Sequence, residues 1–202
     1  MKYSSFCLIF IAIIYLFLFK TDLVNAASCT AEDLRRLKKG EIVVKSVEDA
    51  LAKGGLEAVE AKVLIHASPE KVWNLLDNQE ELDKIIPKIK KIQVLEKETS
   101  YQKVKVNLAT VSLLPVFEYT VLLDQKDKYK EIKFNRIEGS FKELYGAWRI
   151  EPYNEDTMLT YIIYIDLGFY LPDFLREFGL NKMLPETLKA IKVEAEKNNK
   201  LQ

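Results

Sequence analysis

The sequence feature that most constrains the fold is a strand that runs directly into a helix start. Apolar residues alternate with other residues over Val59–His66, and a period of two predicts a strand with one buried face. This strand is predicted to end at Ala67. Ser68 then suits a helix N-cap, and Pro69 suits the first helical position because its missing N–H would be unpaired there anyway. Glu70 complements the positive end of the helix dipole.

The rest of the chain predicts an α+β fold. A second short helix is expected at Glu80–Ile86 and ends at Pro87. Beyond it the helical period disappears, and short turns between alternating segments predict an antiparallel sheet. Pro172–Asn198 is predicted to be helical, with interruptions around Gly179 and Pro185. Since a sheet with one apolar face must be covered, we expect a curved sheet wrapped around this C-terminal helix. The predicted strands are Ile89–Lys97, Tyr101–Val111, Val116–Asp124, Tyr129–Arg136, Phe141–Glu151 and Met158–Gly168.

The first residues are typical of a secretory signal peptide. Lys2 precedes the apolar run Phe6–Phe19, and small residues follow, with cleavage expected after Ala26. The run has 14 residues, fewer than the ~20 that a bilayer-spanning helix needs. We therefore expect export to the periplasm or the extracellular space; a lipid anchor through Cys29 stays open as an alternative. The predicted units are a signal peptide at 1–26, an N-terminal helix and small strand at 27–56, and the main domain at 57–200.

Composition and residue spacing argue against several classes of function. The chain has 30 basic and 30 acidic residues, so it lacks the basic excess of a nucleic-acid-binding protein. His66 is the only histidine in the sequence, and its place at a strand end is typical of a surface or packing residue. No spacing of His, Cys, Asp and Glu predicts a metal site, and no glycine-rich loop predicts phosphate binding. The residues favour binding over catalysis, and no catalytic residue, metal or cofactor is predicted.

Two motifs carry a resemblance to a known family. Ala67–Trp73, followed by Leu75–Asp77, resembles the opening of the START-like superfamily, which includes polyketide cyclases/dehydrases and coenzyme Q-binding proteins. Phe141–Pro152 resembles a later strand of that superfamily. The resemblance implies a helix-grip fold with two short helices after the first main strand, and an internal cavity that holds a lipid, a quinone or another apolar ligand. Asn78–Gln79 departs from the family pattern, because many relatives carry an aromatic residue after the aspartate.

The inward faces of the predicted strands and of the terminal helix supply the candidate cavity residues. For each of them, ordinary core packing is the alternative interpretation. Gly146 omits a side chain from an inward position, which indicates either room for a ligand or another chain, or a bend in the sheet. The candidates are Val106, Leu108, Phe117, Tyr119, Val121, Phe134, Leu144, Gly146, Trp148, Tyr161, Ile163, Ile165, Leu184 and Leu188.

Two predicted loops are unusually apolar. Leu113 and Leu114 lie at a hairpin tip, and Phe169 and Tyr170 precede the terminal helix. Turns are normally polar, so apolar turns often mark contact sites. We predict that these four residues flank the cavity mouth and contact a membrane or a partner during ligand exchange; packing against each other and against the terminal helix is the alternative.

The predicted function is that of an exported binding or carrier protein for a lipid-like or isoprenoid, quinone-type ligand. A bound lipid or quinone would be held by burial of apolar surface, with Tyr119, Tyr161 or Arg149 setting its orientation. Two alternatives stay open. A cyclase or dehydratase of the same fold would need a polar residue inside the cavity, and a protein-interaction module would have a filled core.

Overall fold

The computed structural model describes residues 29–46, 57–109, 115–170 and 172–197. A single compact unit begins at Ala31, and the fold below is that of this unit. The predicted signal peptide lies outside the described residues. Cys29 is exposed to solvent.

The described residues form a mixed set of helices and strands in the predicted order. The helices are α1 Ala31–Lys38, α2 Pro69–Asp77, α3 Gln79–Ile85, α4 Asp173–Phe178 and α5 Leu184–Glu196, with a π-helical turn, Gly179–Met183, between α4 and α5. The strands are β1 Val43–Ser46, β2 Glu57–Ile65, β3 Ile89–Lys97, β4 Tyr101–Leu108, β5 Phe117–Asp124, β6 Glu131–Gly139, β7 Glu143–Tyr153 and β8 Asp156–Asp166.

These strands form one open, curved, antiparallel sheet. Its strand order is β1-β2-β8-β7-β6-β5-β4-β3, so β3 through β8 form a meander and β2 pairs with the last strand. The terminal helix α5 packs against β2, and α3 packs against β3. The predicted α+β helix-grip fold, with two short helices after the first main strand, is confirmed.

The predicted helix start after the first main strand is confirmed. Ser68 has an extended backbone, and its Oγ accepts a hydrogen bond from the backbone N–H of Lys71 at 3.3 Å. Pro69 occupies the first turn of α2. Inside α2, Val72 and Leu76 are buried in the main core, so the cap fixes where the helix meets the sheet.

The prediction that β2 has one buried face is wrong, because both of its faces are buried. Glu60 is 3% exposed and Lys62 is 8% exposed, and the two side chains form an ion pair at 2.8 Å. On the same side, Leu64 packs against Leu37 of α1 and Val43 of β1 in a small second core. The N-terminal helix and strand, which are distant in sequence, therefore cover part of a face that the alternation alone marks as solvent-exposed.

The terminal helical segment differs from the prediction at one of its two expected interruptions. Gly179 opens the π-helical turn, as the pattern indicated, but the chain continues helically through Pro185. Pro185 lies in the first turn of α5, where a missing N–H costs least. Beyond it, the buried face of α5 consists of Leu188, Ile191 and Ala195.

Two turns lie later in the chain than predicted. β6 continues to Gly139, which has φ 116°, and β7 continues through Pro152 to Tyr153. The β7–β8 hairpin then turns at Asn154, whose φ of 54° is a left-handed conformation that asparagine tolerates well. The turn therefore lies at Asn154 and not at Pro152, which is still part of β7.

Candidate functional site

A cavity of about 210 Å³ lies between the sheet and the terminal helical segment. Strands β3 to β8 supply one wall, and the α3–β3 connection and the π-helical turn complete it. Most of the candidates from sequence lie on this wall. Those that line the cavity are Val106, Leu108, Tyr119, Val121, Phe134, Leu144, Trp148, Tyr161, Ile163, Ile165 and Leu184.

Strand register explains why these side chains meet. Val106 is the Cα partner of Tyr119 across β4 and β5, and Trp148 is the partner of Tyr161 across β7 and β8. Because directly paired residues of neighbouring strands point to the same side of a sheet, inward positions on one strand align with inward positions on the next. The alternation visible in each strand therefore becomes one continuous apolar surface.

Sequence reasoning left out a second group of lining residues. Most of these continue alternations already present in the sequence, as Val104 does before Val106, and the apolar stripe of α3 continues through Leu82 to Ile86. Gln79 and Thr187 are polar, so an apolar pattern gives no signal for them. The lining residues absent from the candidates are Gln79, Leu82, Ile86, Pro87, Ile89, Ile92, Val104, Leu123, Ile132, Phe141, Met183 and Thr187.

Three candidates lie outside the cavity lining. Phe117 stacks on Phe141 at a centroid distance of 5.1 Å and so lies behind a lining residue. Leu188 is fully buried in the main core. At Gly146, a Cβ atom would collide with the backbone carbonyl oxygen of Ile162 on β8 and would lie 2.6 Å from Cζ of Phe134 on β6. The neighbouring strands of this chain therefore fill the space that the glycine leaves, and no room for a ligand remains there.

Aromatic rings form a large part of the cavity wall. Tyr161 stacks on Trp148 with a centroid distance of 3.8 Å and an interplanar angle of 12°, and Phe134 lies 5.8 Å from the same tyrosine ring. Tyr119 contacts Phe141 at 4.9 Å. Trp148 and Tyr161 are thus nearly parallel, whereas Phe134 is tilted by 36° from Tyr161 and Phe141 by 50° from Tyr119. Such contacts fix the planes of the rings.

The cavity contains few polar groups, and two of them are engaged with the backbone. Gln79 Nε2 donates to the carbonyl oxygen of Leu76 at 2.6 Å, and Thr187 Oγ1 donates to the carbonyl oxygen of Met183 at 2.9 Å. Burial raises the pKa of Tyr119 above its usual range. Burial, with a smaller contribution from Tyr119, also raises the pKa of Tyr161, so both phenols keep their protons at neutral pH.

Charged residues are absent from the part of the cavity lining that the structure describes. Arg149, expected to orient a ligand, instead pairs with Glu131 at 2.9 Å and is not a lining residue. His66 is exposed and its Nδ1 lies 3.0 Å from a carboxylate oxygen of Asp156. Within the described ranges, no cluster of His, Cys, Asp and Glu could hold a metal ion.

An exposed aromatic patch, defined as Phe169, Tyr170 and Phe174, lies beside one end of the cavity. Phe169 stacks on Phe117 at 6.5 Å, and Phe117 in turn stacks on the lining residue Phe141. Tyr170 is 82% exposed, and Phe169 and Phe174 are about half exposed or more. Leu113 and Leu114, the other predicted mouth residues, lie outside the described residues.

Comparisons with known proteins give a consistent result. A family model for polyketide cyclase / dehydrase and lipid transport matches residues 65–192. The Zhui aromatase/cyclase from Streptomyces sp. R1128 is similar in structure, with a TM-score of 0.61 and 22% identity over 70% of this chain and 94% of that chain. A START superfamily protein from Mycobacterium smegmatis has a TM-score of 0.60 and 16% identity over 69% of this chain and 97% of that chain.

A third solved structure has the same fold. The STAR-related lipid transfer protein from Xanthomonas axonopodis, fragment 25–204, has a TM-score of 0.54 and 14% identity over 76% of this chain and 99% of that chain. A search of curated proteins found no match. At these identities the solved structures establish the fold.

Proposed function

The chain belongs to the polyketide cyclase / dehydrase and lipid transport family, and on this basis we propose that it binds and carries an apolar, lipid-like or quinone-type molecule in its cavity. The domain is a START-type ligand-binding domain of the lipid-transport or cyclase type. The observation that carries the proposal is the apolar cavity between the sheet and the terminal helix.

The size and chemistry of the cavity suit a compact apolar group. Its volume of about 210 Å³ exceeds the ~150 Å³ of an engineered apolar cavity that binds benzene. Burial of apolar surface favours binding by about 25 cal/mol per Å². A ring system therefore fits inside, whereas a long isoprenoid tail would have to extend through the mouth.

The alternatives receive less support from the structure. An interaction module was expected to have a filled core, and this core contains a cavity. A cyclase or dehydratase would need reactive groups at the cavity, yet the described lining includes no carboxylate, histidine, lysine or arginine. Tyr119 and Tyr161 are its ionisable side chains, and their raised pKa values keep them neutral.

The direct test is native mass spectrometry of the full chain purified from a membrane-containing host, followed by organic extraction of bound molecules. We expect a stoichiometric apolar ligand with the mass of a lipid or quinone. An empty protein that also fails to take up added lipids and quinones would contradict the proposal.

A matched pair of variants locates the ligand. Val121 lines the cavity, while its neighbour Leu122 is 37% exposed on the opposite face of β5. Val121→Phe should reduce the bound fraction because the ring occupies ligand space, and Leu122→Phe should leave it unchanged. Overpacking costs ~1–3 kcal/mol, so urea denaturation of both variants confirms that each remains folded.

We also propose that ligand exchange involves contact with a membrane through the exposed aromatic patch. Tyr170 combines an apolar ring with a polar hydroxyl, a combination that favours the membrane interface, and the two phenylalanine rings add apolar area that can be buried there. Lys88, Lys90 and Lys91 are exposed beside the lining residue Ile89 and have no carboxylate partner among the described residues. Uncompensated lysines near the mouth favour a membrane with anionic lipids.

Vesicle cosedimentation tests the membrane contact. The probe is vesicles of phosphatidylcholine and phosphatidylserine, compared with vesicles of phosphatidylcholine alone. Replacing Phe169 and Tyr170 together by Ser should weaken binding roughly tenfold or more, given ~1.5–3 kcal/mol per buried large apolar side chain. Leu95→Ser is the control, because Leu95 is 45% exposed on β3 and belongs to no part of the patch. Equal binding by both variants would contradict the membrane contact.

We further propose that the chain is exported by its N-terminal segment, Met1–Ala26, with a lipid anchor at Cys29 as the alternative. The basis is the sequence pattern, since this segment lies outside the described residues. None of the helices in the described ranges combines the length and the apolar character that crossing a bilayer requires. Mass spectrometry of the mature N-terminus distinguishes the two fates: cleavage after Ala26, or a lipid-modified Cys29.

A further inference from the structure

Two tyrosine side chains in the cavity have hydroxyl groups that make no hydrogen bond to other residues in the described ranges. Tyr119 and Tyr161 both line the cavity, and each ring is held by aromatic neighbours, Phe141 for the first and Trp148 for the second. The two residues face the same cavity from β5 and β8. Among the described residues, neither hydroxyl makes a hydrogen bond to the protein.

Both tyrosines are half-buried at the cavity wall, so a molecule that enters the cavity can reach their hydroxyls. A ligand that displaces water from such a hydroxyl loses hydrogen-bonding free energy unless it supplies an acceptor. Two of the other polar groups of the cavity are already engaged, since the Gln79 amide donates to Leu76 and the Thr187 hydroxyl donates to Met183. The tyrosine hydroxyls are therefore two donors that remain available to a bound molecule.

The absence of charge from the described lining limits what that molecule can be. A carboxylate or phosphate inside the cavity would be desolvated with no Lys, Arg or His beside it, and burying an unpaired charge is strongly unfavourable. The two phenols keep their protons, so they offer neutral donors and no counter-charge. Fatty acids and phospholipid head groups are thus poor occupants of this space.

From these observations we infer that the preferred ligand is an uncharged ring compound whose carbonyl oxygen accepts hydrogen bonds from Tyr119 and Tyr161. A carbonyl oxygen has two lone pairs and can accept from more than one donor. The aromatic part of the wall, where Trp148 and Tyr161 are stacked and Phe134 packs on Tyr161 at an angle, favours contact with a ring compound. Ketones and quinones of one to three rings have this chemistry. The inference rests on the proposed function, because it names the ligand class of the same cavity.

The test compares three probes that share one ring skeleton. Fluorene is the apolar parent, 9-fluorenone adds a carbonyl group, and fluorene-9-carboxylate adds a charge. Binding of each to the full chain is measured by isothermal titration calorimetry and by quenching of tryptophan fluorescence. We expect fluorenone to bind about fivefold more tightly than fluorene, and the carboxylate to bind more weakly than either.

Phenylalanine variants assign the preference to the two hydroxyls. Tyr119→Phe and Tyr161→Phe each remove one donor and keep the ring, so each should weaken fluorenone binding about two- to threefold, which together account for the fivefold preference. The double variant should bind fluorene as the parent protein does and show no preference for fluorenone. Unchanged fluorene binding also shows that the variant cavity is intact.

The outcomes separate this inference from the proposed function. If fluorene binds as tightly as fluorenone to the parent protein, or if the preference survives in the double variant, the inference is wrong while apolar ligand binding stands. Carboxylate binding as tight as that of fluorenone would also overturn it. If neither fluorene nor fluorenone binds, the proposed function fails and the inference falls with it.

Discussion

Asp77 holds together the end of the cavity that lies away from the aromatic patch, and its removal should destabilise the domain. Its Oδ1 accepts hydrogen bonds from Nε2 of Gln102 and from Nε2 of Gln125, both at 2.7 Å, while Lys97 lies 3.2 Å from Oδ2. Gln102 is 0% exposed and Gln125 is 4% exposed. In Asp77→Ala, two buried amide donors lose their charged acceptor.

The magnitude follows from the number of orphaned donors. The Gln102 amide keeps other acceptors in Asp77→Ala, since its Nε2 also donates to the backbone carbonyl oxygen of Asp77 at 3.0 Å and to Oε1 of Gln125 at 3.3 Å. Nε2 of Gln125 is the donor that loses its acceptor, and a buried group left unpaired costs ~1–3 kcal/mol. The lost charge-assisted bond to Gln102 adds to this cost, while the 33% exposure of the Asp77 side chain lets water offset part of it, so we expect about 1–3 kcal/mol in total. For a domain of this length that corresponds to a fall in Tm of roughly 2–12 °C. Urea denaturation followed by circular dichroism measures the free energy of unfolding.

Two further variants make the test specific. Asp77→Asn keeps a side-chain oxygen that can accept from both amides, so it should lose less than half as much stability as Asp77→Ala. Asp127→Ala, at an exposed position, should change the free energy of unfolding by no more than ~0.5 kcal/mol. If Asp77→Ala behaves like Asp127→Ala, the buried amides do not depend on this carboxylate and the reasoning is wrong.

Three other predictions address packing and pH. Gly146→Ala should cost ~1–3 kcal/mol, because the new methyl group would press on the neighbouring strand and an aromatic ring; an unchanged urea midpoint would contradict this close approach. Leu188→Ala should cost ~2–5 kcal/mol because Leu188 is 0% exposed, whereas Val193→Ala, at a 52% exposed position, should cost ~0.5 kcal/mol or less. Burial acts to raise the pKa of Glu131, but its ion pairs, including that with Arg149, outweigh this and lower it. The carboxylate therefore stabilises the fold above its unfolded pKa of about 4.3 and loses that contribution as pH falls through its lower folded pKa. Glu131→Gln should flatten the decline in unfolding free energy below about pH 4.5, and an unchanged decline in acid titrations would count against the ion pairs.

Local chemistry in the sequence predicted local structure well. The Ser68 cap and the strand Ile89–Lys97 lie where the pattern placed them, because capping and period-two alternation depend on neighbouring residues alone. Most of the candidate cavity residues on β4, β5 and β8 were predicted from the same alternation. Once the meander is known, strand pairing brings those side chains onto one wall.

Tertiary contacts explain what the sequence could not predict. The second buried face of β2 depends on Leu37 and Val43, which reach Leu64 from elements that precede it in the chain. The missing side chain at Gly146 was visible in the sequence, but the ring that fills its space comes from a different strand. Arg149 was expected at the ligand, yet alternation places it on the face opposite Trp148, where it pairs with Glu131.

The two ends of the cavity differ in a way that bears on ligand entry. At one end, the buried amides and Asp77 tie α2 to β4 and to the segment after β5, so opening there would break charge-assisted hydrogen bonds. At the other end, the π-helical turn places Met183 beside the cavity, and the aromatic patch lies exposed nearby. π-helical turns are rare and frequently occur at functional sites. Opening at this end breaks none of the hydrogen bonds made by Asp77, so the ligand should enter here, beside the aromatic patch.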